Sequence, residues 1–291
     1  MDSNKKAIIR TLLYSSLFSF PLRLDELYSY LLHDQALSHE AFQKALRSLS
    51  GHIVEKDGYY SLREYTNSIE NRISMSEILA KKWKTAQKIA GILSFIPTIY
   101  FVGLSGGLAA GSARKSDDID YFIITRKNTL FMTRILSLVL LQLLGKRRKF
   151  KEKNAKDKVC LNMWIDTSRL PFPSSEQDLY IAREIAQLKP LINRGTVYKD
   201  FLTANNWVTT YLPHAFTSYV APLKIRRFFK LGEYFICLCE PLARGFQKIL
   251  MGRHRTTEVI LDNYLAFHPH DYRIQILQAF SKRLKLRAKI L

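Results

Sequence analysis

The stretch from residue 103 to 125, GLSGGLAAGSARKSDDIDYFIIT, contains two residue types suited to chemistry on phosphates. Gly106 and Gly107 follow an apolar run, and glycine lets backbone N–H groups approach a phosphate closely. Asp118 and Asp120 begin the next apolar run, and the alternation of a strand puts both carboxylates on one face. Adjacent carboxylates repel each other, and a divalent cation relieves that repulsion. The spacing therefore predicts a phosphate cradle beside a metal site.

Two strands and a turn must position these residues. The segments 98–105 and 118–125 are rich in β-branched and aromatic residues, which indicates buried strands on either side of the glycine-rich turn. A third strand is predicted over 159–166, VCLNMWID. Strict alternation along that strand would place four side chains on one side, namely Cys160, Asn162, Trp164 and Asp166.

The run GGLAAGSARKSDDIDYFII resembles the signature of the polymerase-β-like nucleotidyltransferase superfamily. In that signature a hydrophobic residue and a Gly-(Gly/Ser) pair are followed, after a spacer, by Asp-hydrophobic-(Asp/Glu)-hydrophobic. Gly106-Gly107 match the first half, and residues 118–121 match the second. The resemblance implies a small mixed β-sheet with helices, a nucleoside triphosphate as donor, with ATP expected, and Mg²⁺ or Mn²⁺ held by the carboxylates. The implied reaction moves a nucleoside monophosphate to an acceptor hydroxyl.

The resemblance also implies roles for individual residues. Asp118 and Asp120 are the expected catalytic and metal-binding pair, and four residues are expected to contact the triphosphate, namely Ser105, Gly106, Gly107 and Arg114. At Gly107 the family often has serine.

Active members of the superfamily add a third carboxylate from a later strand, and several residues compete for that position here. Cys160 or Asn162 occupies the expected place. Asp166 has the right chemistry and completes the predicted metal set, although it lies about 13 Å beyond Asn162 along the strand. Glu184, on a following helix, is a further candidate. Without a third carboxylate, the chain is expected to be an inactive nucleotide sensor or a module that binds nucleic acid or protein.

The chain is predicted to have three segments, and the middle one is the core that contains this site. Residues 1–66 read as three helices, the third capped by Ser38, followed by a hairpin at Asp57-Gly58, an order that resembles a winged-helix module. Residues 67–190 form the nucleotidyltransferase-like core, which begins with a long helix over 67–95. Residues 191–291 are predicted to be a basic helical domain. The predicted class is α+β.

The charge balance limits the partners. The chain has a formal net charge of +20, which predicts attraction to polyanions. The tail SKRLKLRAKIL is typical of a basic amphipathic helix that holds nucleic acid or an anionic lipid surface, or is simply solvated. The run GKRRKFKEKNAKDK, residues 145–158, is predicted to be a basic surface loop.

The compartment is predicted from the cysteines and the apolar runs. Cys160, Cys237 and Cys239 form neither a paired framework nor a metal knuckle, which favours reduced thiols in a cytoplasmic protein. The N-terminus lacks the small-residue cleavage site of a signal peptide. The apolar run 135–145 is shorter than the roughly 20 residues that span a bilayer, so no membrane span is expected.

Overall fold

The computed structural model describes residues 2–148, 156, 158–216, 223–224, 230–252, 259–267 and 272–288. Within these ranges the chain has eleven α-helices and two β-sheets, one of three strands and one of seven. The α+β class predicted from the sequence is confirmed. None of the described helices is both long enough and apolar enough to cross a bilayer.

The N-terminal segment packs three helices on an antiparallel sheet of order β1-β3-β2. Its elements are α1 (Ser3–Ser16), β1 (Leu22–Arg23), α2 (Leu24–Ser29), α3 (His39–Arg47), β2 (Ile53–Lys56) and β3 (Tyr59–Leu62). The Oγ of Ser38 accepts the N–H of Ala41 at 3.2 Å, which confirms the predicted cap of α3. Asp57 and Gly58 have φ of 53° and 76°, the positive values that a tight hairpin turn requires.

The helix predicted over 67–95 is instead two helices, α4 (Asn67–Ser74) and α5 (Ser76–Leu93). Their buried faces have different partners. Helix α4 contacts β3 of the N-terminal sheet, whereas α5 contacts the larger sheet. Met75 separates the two helices, so that each packs on its own sheet.

The larger sheet is mixed and has the order β8-β7-β4-β5-β6-β10-β9. Its strands are β4 (Ile99–Leu104), β5 (Ile119–Thr125), β6 (Val159–Asp166), β7 (Lys189–Asn193), β8 (Leu223–Lys224), β9 (Val259–Ile260) and β10 (Tyr264–Ala266). Strand β4 is antiparallel to β5 and β7, and β5 is parallel to β6. Strands β4, β5 and β6 agree with the prediction, but the helical prediction for 191–291 is wrong at the end of β7 and at β8, β9 and β10. Strands of two or three residues are too short to show an alternating pattern.

The remaining helices cover the two faces of this sheet. They are α6 (Gly106–Ala110), α7 (Leu130–Leu143), α8 (Leu179–Gln187), α9 (Val197–Ala204), α10 (Lys230–Gly252) and α11 (Tyr272–Ala288). A capping side chain sets the start of helix α8. Ser174 and Ser175 belong to a short 3₁₀ turn, and the N-cap is Asp178, whose carboxylate accepts the N–H of Ile181 at 3.0 Å.

Two hydrophobic cores lie on opposite faces of the larger sheet. One core joins the N-terminal segment to the sheet and to α8, α9 and α11, and it runs from Ala7 to Phe280. The other lies between the sheet and α5, α6, α7 and α10. The N-terminal segment therefore shares its core with the sheet, and it forms part of the wall around the site described next.

Candidate functional site

The glycine-rich turn lies directly against Asp120. After β4 the backbone of Ser105 is extended, and Gly106 adopts a positive φ of 62° to begin α6. The N–H of Ser105 donates to the carbonyl of Asp120 at 3.1 Å. A Cβ atom on Gly106 would lie 2.7 Å from the Oδ2 of Asp120, whereas one on Gly107 would make only ordinary contact at 3.5 Å. The antiparallel pairing of β4 and β5 thus brings both halves of the sequence motif together.

The second half of the motif forms a cluster with a cysteine. Asp118 immediately precedes β5, and Asp120 within β5 is in register with Cys160 on β6. One ligand atom from each of these three residues lies within 4.8 Å of the others. Burial, and then the charge of Asp118, raise the pKa of Asp120. Burial also raises the pKa of the Cys160 thiol, so that the thiol stays protonated at neutral pH.

An arginine that the sequence analysis assigned to a surface loop completes the cluster. The guanidinium of Arg148 forms an ion pair with the carboxylate of Asp118. Its charge also opposes the rise in the pKa of Asp120. Backbone pairing beside Val159 holds this part of the chain at the start of β6. Nothing in the sequence distinguishes Arg148 from the seven other cations of its run. Arg148 reaches the cluster through strand pairing, which the sequence does not reveal.

Asp166, predicted as a metal ligand, does not join the cluster. Between Asp120 and Phe122 of β5, strand β6 accommodates an extra residue, and this bulge reverses the alternation of the side chains that follow. Trp164 consequently packs in the core on the opposite face from Cys160. The carboxylate of Asp166 accepts the backbone N–H groups of Asn128 and Ser168 in the turns that follow β5 and β6. The prediction is wrong because it assumed unbroken alternation.

A cavity of about 460 Å³ opens beside the glycine-rich turn. Its polar side includes Ser105, Gly106, Gly107, Asn162 and Glu184, and its apolar walls include Phe18, Phe122, Phe172, Phe201 and Tyr264. Burial raises the pKa of Glu184 to about 7, and the charge of Arg183 partly opposes this rise. Among the described residues, the buried hydroxyls of Ser105 and Tyr14 have no hydrogen-bond partner although both residues line the cavity. A polar ligand would satisfy them.

The structure gathers most of the predicted site residues but not all of them. Ser105, Gly106 and Gly107 line the cavity, Asp120 lies against the glycine-rich turn, and a carboxylate oxygen of Asp118 lies within 4.8 Å of one of Asp120. The side chain of Arg114 is exposed and is absent from the described lining of the cavity, and its backbone N–H donates to Asp117 at 2.7 Å. Tyr14, which lies far away in the sequence, comes from the N-terminal segment. No local pattern marks it, since it reaches the cavity only through tertiary packing.

Comparisons of the chain with protein-family models, with curated proteins and with solved structures found no match. The proposed function therefore rests on the geometry of the cluster and the cavity.

Proposed function

We propose that this chain is a metal-dependent nucleotidyltransferase that moves a nucleoside monophosphate from a nucleoside triphosphate, with ATP as the expected donor, to an acceptor hydroxyl. One observation carries the proposal: the Gly106-Gly107 turn packs on Asp120, with Asp118 beside it, at the edge of a cavity. A phosphate cradle and a carboxylate pair are the parts that phosphoryl-group chemistry requires.

The topology around the site supports this proposal. A strand, a glycine-rich turn and an antiparallel strand, followed by a parallel strand, are the arrangement expected of a polymerase-β-like core. The N-terminal order α1-β1-α2-α3-β2-β3 supports a winged-helix-like module. The three free thiols are compatible with the reducing conditions of the cytoplasm.

The donor set fits a hard divalent cation. Asp118 and Asp120 each offer carboxylate oxygens, and Mg²⁺ is commonly held by one or two carboxylates together with substrate phosphates and water. The protonated thiol of Cys160 is a poor ligand for Mg²⁺ or Mn²⁺. When bound, the cation would neutralise negative charge that develops on the triphosphate during transfer.

The protein residues supply the rest of the proposed chemistry. Backbone N–H groups at Gly106 and Gly107 hold the phosphates. The acceptor hydroxyl attacks the α-phosphorus in line, a new P–O bond forms, and the bond to the leaving pyrophosphate breaks. Glu184 lines the same cavity, and its pKa of about 7 suits it to take the proton that the hydroxyl releases.

The test is transfer of label from α-labelled ATP, with Mg²⁺ or Mn²⁺, to RNA, protein and small-molecule fractions of a lysate. The combined variant Asp118→Ala and Asp120→Ala is expected to abolish transfer. Asp117→Asn is the matched control, because it changes the neighbouring carboxylate and keeps an oxygen for the N–H of Arg114. Transfer that survives the double variant would overturn the proposal.

A second candidate is an inactive relative that binds nucleotide without turning it over. It is favoured by Cys160, which is in register with Asp120 and is one of the two residues at the expected place of a third carboxylate, and by Arg148, which already neutralises Asp118. Calorimetry with ATP separates the two candidates. A sensor binds ATP and leaves it intact, whereas an enzyme needs the cation and consumes ATP when an acceptor is present.

Nucleic acid is a proposed partner of the basic C-terminal region. The observation in its favour is α11, where Lys282 and Lys285 are exposed. A salt series with duplex DNA tests it, because neutralisation of phosphates makes the affinity fall steeply with salt concentration.

A further inference from the structure

Helix α10 turns a continuous apolar face outward. Eight large apolar side chains on this face are between 46% and 80% exposed, namely Leu231, Tyr234, Phe235, Leu238, Leu242, Phe246, Ile249 and Leu250. Their spacing of three and four residues places them along one side of the helix, and we call them the apolar stripe. Contiguous exposed apolar patches are uncommon on soluble monomers and mark interaction surfaces.

Polar contacts on the opposite side of α10 fix the orientation of the stripe. The carboxylate of Glu240 accepts the backbone N–H groups of Phe131 and Met132, at 2.9 and 2.8 Å, in the first turn of α7. The side chain of Gln247 donates to the carbonyl of Phe131 at 2.7 Å. Rotation of the helix to bury the stripe would leave these groups without hydrogen-bond partners, which is costly for buried polar groups. The outward position of the stripe is therefore built into the fold.

The charge around the stripe indicates what covers it. The two acidic residues of α10, Glu233 and Glu240, are only 8% and 1% exposed, so they contribute almost no negative surface. Two cations of the helix, Arg244 and Lys248, share the single carboxylate of Asp262. The amino-acid sequence next to both helix ends is also basic, with KIRRFFK at 224–230 and RHR at 253–255.

We propose that the apolar stripe docks on an anionic lipid surface, with α10 lying in the plane of the interface. An apolar helix face bordered by cations is the arrangement that interfacial helices use. A second copy of this chain is disfavoured as the occupant, since two molecules of net charge +20 repel each other. Helix α10 covers the sheet face opposite the cavity-lining core, so docking would leave the candidate site open.

The test is co-sedimentation of the full chain with vesicles of phosphatidylcholine alone and of phosphatidylcholine mixed with phosphatidylglycerol. Binding is expected to the anionic vesicles and to weaken as salt is added. The variant Leu242→Gln with Phe246→Gln should reduce partitioning by roughly tenfold or more, because two large apolar side chains would no longer be removed from water on binding. Phe95→Gln is the matched control, since Phe95 is 75% exposed and lies outside α10.

Sedimentation velocity without lipid completes the experiment. The proposal predicts a monomer for both the parent chain and the double variant. Three results would overturn it: failure to bind anionic vesicles, equal binding by the double variant, or a dimer that the double variant dissociates. The last result would assign the stripe to a second copy of the chain.

Discussion

The Oδ2 of Asp120 lies 2.7 Å from the position that a Cβ atom on Gly106 would occupy. Contacts this short do not occur between a real Cβ atom and a carboxylate oxygen. The φ of Gly106, 62°, is also one that side chains with a Cβ rarely adopt. The shape of the turn and the position of the carboxylate are thus set together, and only glycine is compatible with both.

Gly106→Ala should therefore displace Asp120 and destabilise the protein by at least about 1–2 kcal/mol, the cost of a left-handed conformation alone. Thermal denaturation should show a lower Tm, and calorimetry should show weaker Mn²⁺ binding. Gly107→Ala is the control, because its added Cβ meets only ordinary contacts. Equal melting temperatures for the two variants would contradict this account of the turn.

The ion pair between Arg148 and Asp118 should compete with a bound cation. Removal of the guanidinium in Arg148→Gln should tighten Mn²⁺ binding measured without nucleotide. The expected gain is up to about fivefold, because partly exposed ion pairs contribute up to about 1 kcal/mol. Arg147→Gln, the exposed neighbour in the same run, should leave the affinity unchanged. Unchanged affinity in Arg148→Gln would show that the ion pair does not oppose the metal.

The parts of the fold that sequence could predict are those set by local chemistry. Ser38 and the Asp57-Gly58 turn were predicted because caps and tight turns depend on a few adjacent residues. The three strands over 98–105, 118–125 and 159–166 were predicted because fully buried strands have continuous apolar runs. The glycine and carboxylate halves of the site follow from these strands and the turn between them.

The parts that sequence missed depend on pairing between distant segments. The bulge in β6 moved Asp166 to the other face, and no local feature of VCLNMWID marks it. Arg148 joins the site because strand pairing holds its backbone beside Val159. Tyr14 lines the cavity because the N-terminal segment packs on the sheet. Each of these positions is decided by tertiary contacts that a periodicity argument does not contain.

Arg72 should be the main polar link between the N-terminal segment and the rest of the chain. Its guanidinium pairs with Glu26 at 2.7 Å, bonds to the carbonyl of Pro21 and lies 3.9 Å from the ring centre of Phe20. Arg72→Ala should cost about 3–5 kcal/mol of stability, because it removes the charged partner of a largely buried carboxylate and leaves it only the backbone N–H of Arg23. Lys56→Ala, which breaks a solvent-exposed pair with Glu70, should cost much less stability than Arg72→Ala does. Similar losses of unfolding free energy for the two variants in chemical denaturation would contradict the expectation that the buried pair contributes more than the exposed one.

The ion pair between Arg72 and Glu26 should make the stability of the protein sensitive to acid. Burial alone would raise the pKa of Glu26, but the hydrogen bonds and charge of Arg72 outweigh it and hold that pKa below 4.5. The pair's contribution is therefore present above that pH and is lost as the pH falls through the folded-state pKa. The difference in unfolding free energy between the parent chain and Arg72→Ala should shrink on acidification. A difference that stays constant down to about pH 3 would exclude this linkage.

Glu184 should have the opposite effect on the pH dependence of stability, because its ionisation destabilises the protein as the pH rises. Burial raises its pKa from the ordinary value of 4.5 to about 7, so the folded protein binds the proton more tightly than the unfolded chain does. Ionisation of Glu184 therefore costs stability as the pH rises between these two values, and the full cost applies above the folded-state pKa. Glu184→Gln should stabilise the protein by on the order of 1–3 kcal/mol at about pH 8, and by much less at about pH 5. Urea denaturation at both pH values measures this difference. Glu77→Gln, at an exposed position, is the control and should show no difference between the two pH values.

A gain in stability for Glu184→Gln that is the same at both pH values would mean that the carboxylate of Glu184 is solvated in the cavity and titrates normally. Such a carboxylate would be poorly suited to take a proton from an acceptor hydroxyl near neutral pH.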